Sequence, residues 1–208
     1  MVDVHDEDRD GVMVVGDALD AGDIELLARM HVESLPGSLV SAIGNRYARA
    51  FYRYIAESPT EIVLLHRQGK ALVGACIVSL EPSTMSRRLL RHTPLAFHAA
   101  LAIRRLPLRA MLTAKRPVTK APSGPEIVLI FTLPGVRSNG LGRRLLERCD
   151  AYLAERGHAR LLVKTRDEAS NRAIAFYERS GFARHSQVEQ YGKRLVLFEK
   201  AIAREGAR

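Results

Sequence analysis

The stretch Ile127–Asp150, IVLIFTLPGVRSNGLGRRLLERCD, decides how the chain folds. Ile127 to Leu133 is an apolar run of strand length, and Pro134 stops it. Leu141, Leu145, Leu146 and Cys149 then repeat at helical spacing. Between the two lie Arg137, Ser138, Asn139, Gly140 and Gly142. A helix N-terminus leaves backbone N–H groups unpaired and carries partial positive charge. Glycines let a ligand approach that backbone, and an arginine adds a fork that suits phosphate oxygens. A turn of this kind asks for an anion, most simply a pyrophosphate. It contains neither the Gly-x-x-x-x-Gly-Lys-Ser/Thr of a P-loop nor the Gly-x-Gly-x-x-Gly of a dinucleotide fold. Taken alone, the glycines are equally compatible with a tight turn and a solvated arginine.

Working outward, the pattern toward the C-terminus is strand (160–165), helix (170–180) and two strands, about 182–188 and 193–199. Toward the N-terminus, Val12–Val15 reads as a first strand, and Asp20 opens a helix whose buried stripe is Ile24, Leu27, Ala28 and Val32. A second helix is expected from Ser41 to Glu57, and Gln68-Gly69 is the tip of a hairpin between two strands. The order β-α-α-β-β-insertion-β-α-β-α-β-β makes an α/β domain with a mixed sheet. We expect one domain over residues 12–200, a disordered tail at 1–11 and a C-terminal tail at 201–208.

The charge is unevenly placed. The 208 residues carry a net charge of +9, yet Pro82 to Pro125 alone contains nine basic residues and no acidic one. The remainder is balanced, so a basic segment is inserted into a neutral domain. Two helical pieces broken at Pro94 and Pro107 are expected within it. Three readings stay open for residues 86–120: a helical lid over an acceptor cleft, a contact with an anionic membrane surface, and a homodimer interface. Nucleic acid is disfavoured, since the segment has one aromatic residue, Phe97, and no stacking platform. No run of about 18 apolar residues is present, and the acidic N-terminus is unlike a signal peptide, so a cytoplasmic location is expected. Cys76 and Cys149 lack metal-ligand spacing and read as buried thiols, so no metal is expected.

A second motif lies thirty residues on: SNRAIAFYERSGF, Ser170 to Phe182. Ser170 is an N-cap candidate and Gly181 a C-terminal cap, and Phe176 and Tyr177 are apolar enough to be core. Together, Arg137-Ser-Asn-Gly140-Leu-Gly142 and Asn171-x-Ala173-x-x-Phe176-Tyr177-Glu178-x-x-Gly181-Phe182 resemble the two cofactor motifs of the GNAT superfamily of acyl-CoA N-acyltransferases. The element order fits as well. Ser138 and Thr132 stand where many members have glycine and valine.

The resemblance implies a GNAT-like, mostly antiparallel sheet flanked by helices, with the insertion between strands 3 and 4. It implies acetyl-CoA as co-substrate and a primary amine on a small molecule as acceptor. By carry-over, Arg137, Ser138, Asn139, Gly140, Leu141 and Gly142 hold the pyrophosphate. A strand bulge falls near Phe131, Thr132 and Leu133, whose backbone meets the pantetheine arm, with an N–H near Leu133 facing the thioester oxygen. Asn171 bonds the pantetheine or a water, Phe176 lies beside the cofactor, and Tyr177 is the general acid. A phenol with a pKa near 10 can protonate a thiolate whose relaxed pKa is roughly 8.5. Glu126 is the first candidate base, with Glu81 and His31 behind it. The front half, His31-Val-Glu-Ser34-Leu-Pro36 followed by Gly44, resembles a GNAT subgroup linked to bacterial polysaccharides and implies an amino-sugar acceptor. A longer acyl donor, or a non-catalytic acyl-CoA-binding module, are the alternatives.

Overall fold

The protein is described from a computed structural model that covers residues 11–15, 19–93, 122–136, 139–190 and 193–203. Arg137, Ser138 and most of the basic insertion, with its expected break at Pro107, lie outside the described residues, as do both expected tails except Gly11 and residues 201–203.

Seven strands form one sheet in the order β1-β2-β3-β4-β5-β7-β6. They are β1 (Val12–Val15), β2 (Glu61–Gln68), β3 (Ala71–Ser79), β4 (Glu126–Thr132), β5 (Arg160–Arg166), β6 (Ala183–Gln190) and β7 (Lys193–Ala201). Every neighbouring pair is antiparallel except β4 and β5. The helices are α1 (Ala21–Ser34), α2 (Leu39–Ile43), α3 (Asn45–Glu57), α4 (Pro82–His92), α5 (Leu141–Glu155) and α6 (Arg172–Arg179).

Strand alternation sorts the side chains into two cores, one per sheet face. On one face α1 and α3 cover Val63, Leu65, Ala75, Ile77 and Phe131. On the other, α5 and α6 pack with Leu64, Cys76, Val78, Ile127, Leu161, Val163, Val196 and Phe198. Leu145 and Leu153 of α5 are fully buried there, each contributing about 2 kcal/mol by leaving water. Cys76 and Cys149 are both buried free thiols in this core.

Two sequence expectations change, and a third, the break at Pro94, agrees with where the first helix of the insertion ends. The single helix 41–57 is two helices, because Gly44 takes φ +114° and breaks the backbone between them. The cap of α6 is Asn171 rather than Ser170, its side chain accepting from the Ala173 N–H at 3.1 Å. The first piece of the insertion begins at Pro82, a favoured first helical residue, and ends at His92, one residue short of the pre-proline position. Among the described residues no helix is long and apolar enough to cross a membrane.

α4 is tied down by charge. The Glu61 carboxylate, fully buried at the start of β2, accepts from Ser79 at 2.9 Å and Thr60 at 2.9 Å. Ser58 also donates to it, and the Arg88 guanidinium of α4 reaches it at 2.6 Å. Burial alone would raise the Glu61 pKa, but these donors outweigh it and hold the carboxyl below its usual range.

Candidate functional site

The geometry of the site begins with a strand pair that comes apart. β4 and β5 are paired at Glu126–Leu162 and Ile127–Val163, and no further. Beyond that point both strands continue, β4 to Thr132 and β5 to Arg166. The β3–β4 register explains the divergence. Ile77 faces Leu129 but Val78 faces Ile127, so Val128 is an extra residue on β4. A bulge bends the strand that carries it. Sequence carry-over put this bulge at 131–133; it lies at Val128, where the pairing with β5 ends.

The pairing phase shows which backbone groups face the opening. Leu133 N–H donates to Val73 O on β3 at 2.9 Å. In an antiparallel ladder, residues that bond to the partner alternate with residues whose polar groups point away. Phe131 and Leu129 therefore share the phase of Leu133, and Thr132 and Ile130 turn their N–H and C=O groups toward the gap. The Leu133 N–H is committed to β3, so of the N–H groups near it those of Ile130 and Thr132 face the gap. Val128, Leu129, Ile130 and Thr132 are only half-buried, as befits a strand lacking its neighbour.

At the open end of the gap stands the turn before α5. Gly140 is the N-cap of α5 with φ +74° and, having no side chain, does not itself bond the first-turn N–H groups; among the described residues no side chain is seen to cap the helix. The first N–H groups of α5 are left to solvent or a ligand. A Cβ built on Gly142 would lie 3.2 Å from Phe176 Cζ, so the first motif packs directly on the second. Asn139 and Gly140 are exposed, and Leu141 is buried beneath them. Close access to the backbone at a helix N-terminus, with a strand edge below it, is an arrangement chemically able to receive an anion that carries an extended arm.

Asn171 has a different task from the one carried over. Its amide donates to Thr165 Oγ1 at 2.8 Å and Arg166 O at 2.6 Å, and its oxygen caps α6. It joins α6 to the end of β5, so its amide hydrogens are spent inside the protein. Tyr177 is buried among Phe176, Phe182 and Phe198 on the α5–α6 face. Burial, with a smaller contribution from the Cys76 thiol on β3, pushes its phenol far above the usual value. Tyr177 and Cys76 belong to the same core on that face of the sheet.

The opposite face of the gap is polar. Glu126 and Lys164 alternate with Ile127 and Val163, so both point toward the α1–α3 side. Their ion pair is 2.7 Å long, with side chains 14% and 26% exposed respectively. Arg166 donates to Gly37 O at 3.3 Å, bringing the α1–α2 loop over the end of β5. That loop is held by a buried relay. Ser41 Oγ–H donates to Leu35 O at 2.7 Å, so Ser38 Oγ–H must donate to Ser41 at 2.9 Å. His31 Nε2–H then donates to Ser38 at 2.8 Å, and Nδ1 accepts from the Tyr52 hydroxyl at 2.8 Å. The imidazole is neutral, and burial lowers its pKa to about 4. Its ring lies 5.9 Å from that of Phe131.

Of the three candidate bases, only Glu126 stands beside the gap. His31 is fully enclosed with both nitrogens engaged. Glu81 is an exposed residue bonded to Arg88 and Thr84 at the start of α4. Sequence reasoning missed Val128, Ile130 and Lys164. The first two depend on ladder phase, which sequence does not display. Lys164 does stand out as the first charge after Leu161-Leu-Val163. Among the described residues no group of three or more His, Cys, Asp or Glu could hold a metal ion.

Comparison with known proteins agrees with this geometry. The sequence model of the acetyltransferase (GNAT) family matches residues 33–182. No curated protein sequence matches the chain. Among solved structures, the ribosomal-protein-S18-alanine N-acetyltransferase of Escherichia coli superposes with a TM-score of 0.59 at 16% identity, covering 95% of this chain and 97% of that one. The PH1933 protein of Pyrococcus horikoshii gives 0.59 at 15% identity, covering 91% and 98%. A chain of the NatC complex bound to Gag peptide and CoA gives 0.53 at 11%, covering 93% and 99%. At these identities the likeness is one of fold.

Proposed function

Since the chain belongs to the acetyltransferase (GNAT) family and is an N-acetyltransferase with acetyl-CoA as co-substrate, we propose that it transfers the acetyl group to a primary amine of a small anionic acceptor, with an amino sugar or sugar-linked amine favoured. The observation that carries this reading is the gap between β4 and β5, opening at Val128 and topped by the uncapped N-terminus of α5.

Acetyl-CoA would lie with its diphosphate on the N–H groups after Gly140 and beside Arg137, Ser138 and Asn139. Its pantetheine arm would run along Thr132 and Ile130 as an added strand edge. The Ile130 N–H, nearest the bulge, would face the thioester oxygen. A donor aimed where negative charge develops stabilises the transition state more than the ground state. The amine would enter from the α1–α3 face, between the loop pinned by His31 and the end of β5. Glu126 would take its proton, directly or through a water. The neutral amine attacks the carbonyl carbon, the C–N bond forms and the C–S bond breaks. Tyr177, on the opposite face, would give its proton to the departing thiolate. Its raised pKa keeps it protonated before that step, though donation is then less favourable than from an ordinary phenol.

The anionic preference rests on charge. The sequence carries nine basic residues and no acidic one between Pro82 and Pro125, and Arg166 lies at the end of β5 beneath the α1–α2 loop. A polycationic amine would be repelled, and a sugar phosphate drawn in.

The test joins calorimetry with detection of free thiol. Wild type should bind acetyl-CoA, and Arg137→Glu, which replaces the guanidinium fork with a carboxylate where the diphosphate would lie, should not. Amino sugars and their phosphates should then release thiol faster than polyamines or N-terminal peptides. Faster turnover of polyamines would reject the acceptor assignment; failure of wild type to bind acetyl-CoA would reject the site.

A further inference from the structure

The Glu126–Lys164 pair does more than close the end of the sheet. Lys164 is the first residue of β5 beyond the last β4–β5 pair, Ile127–Val163, so it stands level with the bulge at Val128. Its side chain lies on the α1–α3 face, away from the α5–α6 core that takes Val163. Its Nζ is a primary amine 2.7 Å from Glu126 Oε2, and the side chain is about one quarter exposed. Three things therefore meet at one point of the fold: a primary amine, a carboxylate able to take its proton, and the opening of the gap.

We propose that Lys164 is an internal acceptor, acetylated at Nζ by the protein's own bound acetyl-CoA when no external amine is present. This rests on the placement of acetyl-CoA in the β4–β5 gap. The step balances as ordinary acyl transfer. Nζ gives one proton to Glu126, its lone pair attacks the thioester carbonyl and the N–C bond forms; the nitrogen then loses its second proton as the C–S bond breaks. The thiolate leaves with the electron pair and is protonated to free CoA. No oxidant or further reactant is needed.

Reach favours the step. A strand advances roughly 3.3 Å per residue, so Ile130 lies about 6.6 Å beyond the level of Val128, a span comparable to the length of an extended lysine side chain. From the level of Val128, Nζ can swing off Glu126 toward the Ile130 N–H, where the thioester oxygen is placed. The other described lysines lack this setting. Lys200 is bound to Asp150 at 2.6 Å on the far face, Lys70 sits at the β2–β3 hairpin tip, and Lys193 is exposed at the start of β7. Acetylation would also have a consequence. It removes the charge of Lys164, breaks the ion pair and leaves Glu126 without its cation, so the modified protein should differ in acceptor turnover.

The experiment incubates the full chain with acetyl-CoA and no acceptor, and follows peptide masses over time. Lys164 should gain an acetyl group at least about tenfold faster than Lys70 or Lys200, as an oriented intramolecular reaction outruns a bimolecular one. The rate constant should not change with protein concentration, and Glu126→Gln should slow it toward the background of the other lysines. Calorimetry with acetyl-CoA and thiol release with an external amine are run alongside. Binding and turnover without preferential acetylation of Lys164 overturn this inference alone. Absence of acetyl-CoA binding overturns it together with the functional reading. Modification of Lys164 at a rate that rises with protein concentration also overturns it, because transfer would then be between molecules.

Discussion

Gly142 and Phe176 are in contact across the two sequence motifs: a Cβ at position 142 would lie 3.2 Å from Phe176 Cζ and 3.3 Å from Cε2. That spacing is tighter than an ordinary carbon contact, so the glycine is required by packing as well as by ligand access. A Gly142→Ala substitution has two opposed effects. It gains up to about 1 kcal/mol of helix propensity and loses about 1–3 kcal/mol through overpacking. In wild type the two should nearly cancel or destabilise slightly. With Phe176→Leu in place the clash is gone, and Gly142→Ala should stabilise by about 1 kcal/mol. A double-mutant cycle by urea unfolding measures the difference. Equal effects in both backgrounds would show that the two motifs do not press on each other.

That contact also marks what the sequence displayed and what it hid. The glycines, the Phe-Tyr pair and the strand–turn–helix order were legible because periodicity and turn residues record local preference. The contact between the motifs was not, since it depends on how α5 and α6 lie across the sheet. The bulge at Val128 left no local signature: Ile127-Val-Leu-Ile130 is uniformly apolar, so an extra residue changes neither composition nor alternation. The ladder phase that commits the Leu133 N–H to β3 and turns the Ile130 and Thr132 N–H groups toward the gap is likewise not displayed by the sequence. Asn171 was recognised by motif, but its three bonds within the protein required knowing where β5 ends. In the sequence His31 reads as a candidate base and as the first residue of His31-Val-Glu-Ser34-Leu-Pro36, and its role as the pin of the α1–α2 loop follows from partners 7 and 21 residues away.

His31 makes stability depend on pH in a defined window. Its folded pKa is lowered from 6.5 to about 4 by burial. The unfolded chain therefore takes up a proton below pH 6.5 that the folded protein refuses until pH approaches 4. The unfolded state binds more protons in that window, so stability falls as pH drops through it and levels off below. The full effect is about 3 kcal/mol for a shift of this size. His31→Gln keeps a donor for Ser38 and an acceptor for Tyr52 without titrating. Unfolding by urea at several pH values should show a shallower loss between pH 6.5 and 4 in the variant. Parallel curves for the two proteins would mean that His31 accepts its proton in the folded state.

Arg88 and Glu61 anchor the start of the insertion to the sheet. The Glu61 carboxylate has no exposure, whereas Arg88 keeps 23% of its side chain in solvent. Removing the arginine strands a buried charge, which costs about 3–5 kcal/mol in a fully dry setting. Three hydroxyl donors remain, from Ser58, Thr60 and Ser79, so Arg88→Ala should cost about 2–3 kcal/mol. The Glu61 carboxyl, now held low by its donors, should rise in that variant. The variant should then regain part of its relative stability as pH falls and Glu61 protonates. Replacing both partners, Arg88→Met with Glu61→Gln, should restore most of the loss. Equal loss from the single and double changes would show that the pair contributes packing rather than charge.

Tyr177 supplies the sharpest separation of chemistry from structure. Its ring is held by Phe176, Phe182 and Phe198 at centroid distances of 5.3, 5.5 and 6.1 Å. Tyr177→Phe keeps those contacts and removes only the hydroxyl, so the unfolding midpoint should barely move. If the hydroxyl protonates the leaving thiolate, kcat should fall about 100-fold, the low end for a general acid, with KM nearly unchanged. Burial raises the phenol pKa, so the folded protein keeps this proton above pH 10 where the unfolded chain loses it. Two consequences follow from that sign. Stability contributed by Tyr177 is full below pH 10 and declines above it. The rate in wild type should show no loss from tyrosine ionisation up to pH 10, and any falling limb below that must belong to another group. Thiol release measured from pH 6 to 10 on both proteins checks this directly. An unchanged kcat in Tyr177→Phe would assign the ring to the core alone and leave the thiolate to be protonated by water entering the gap.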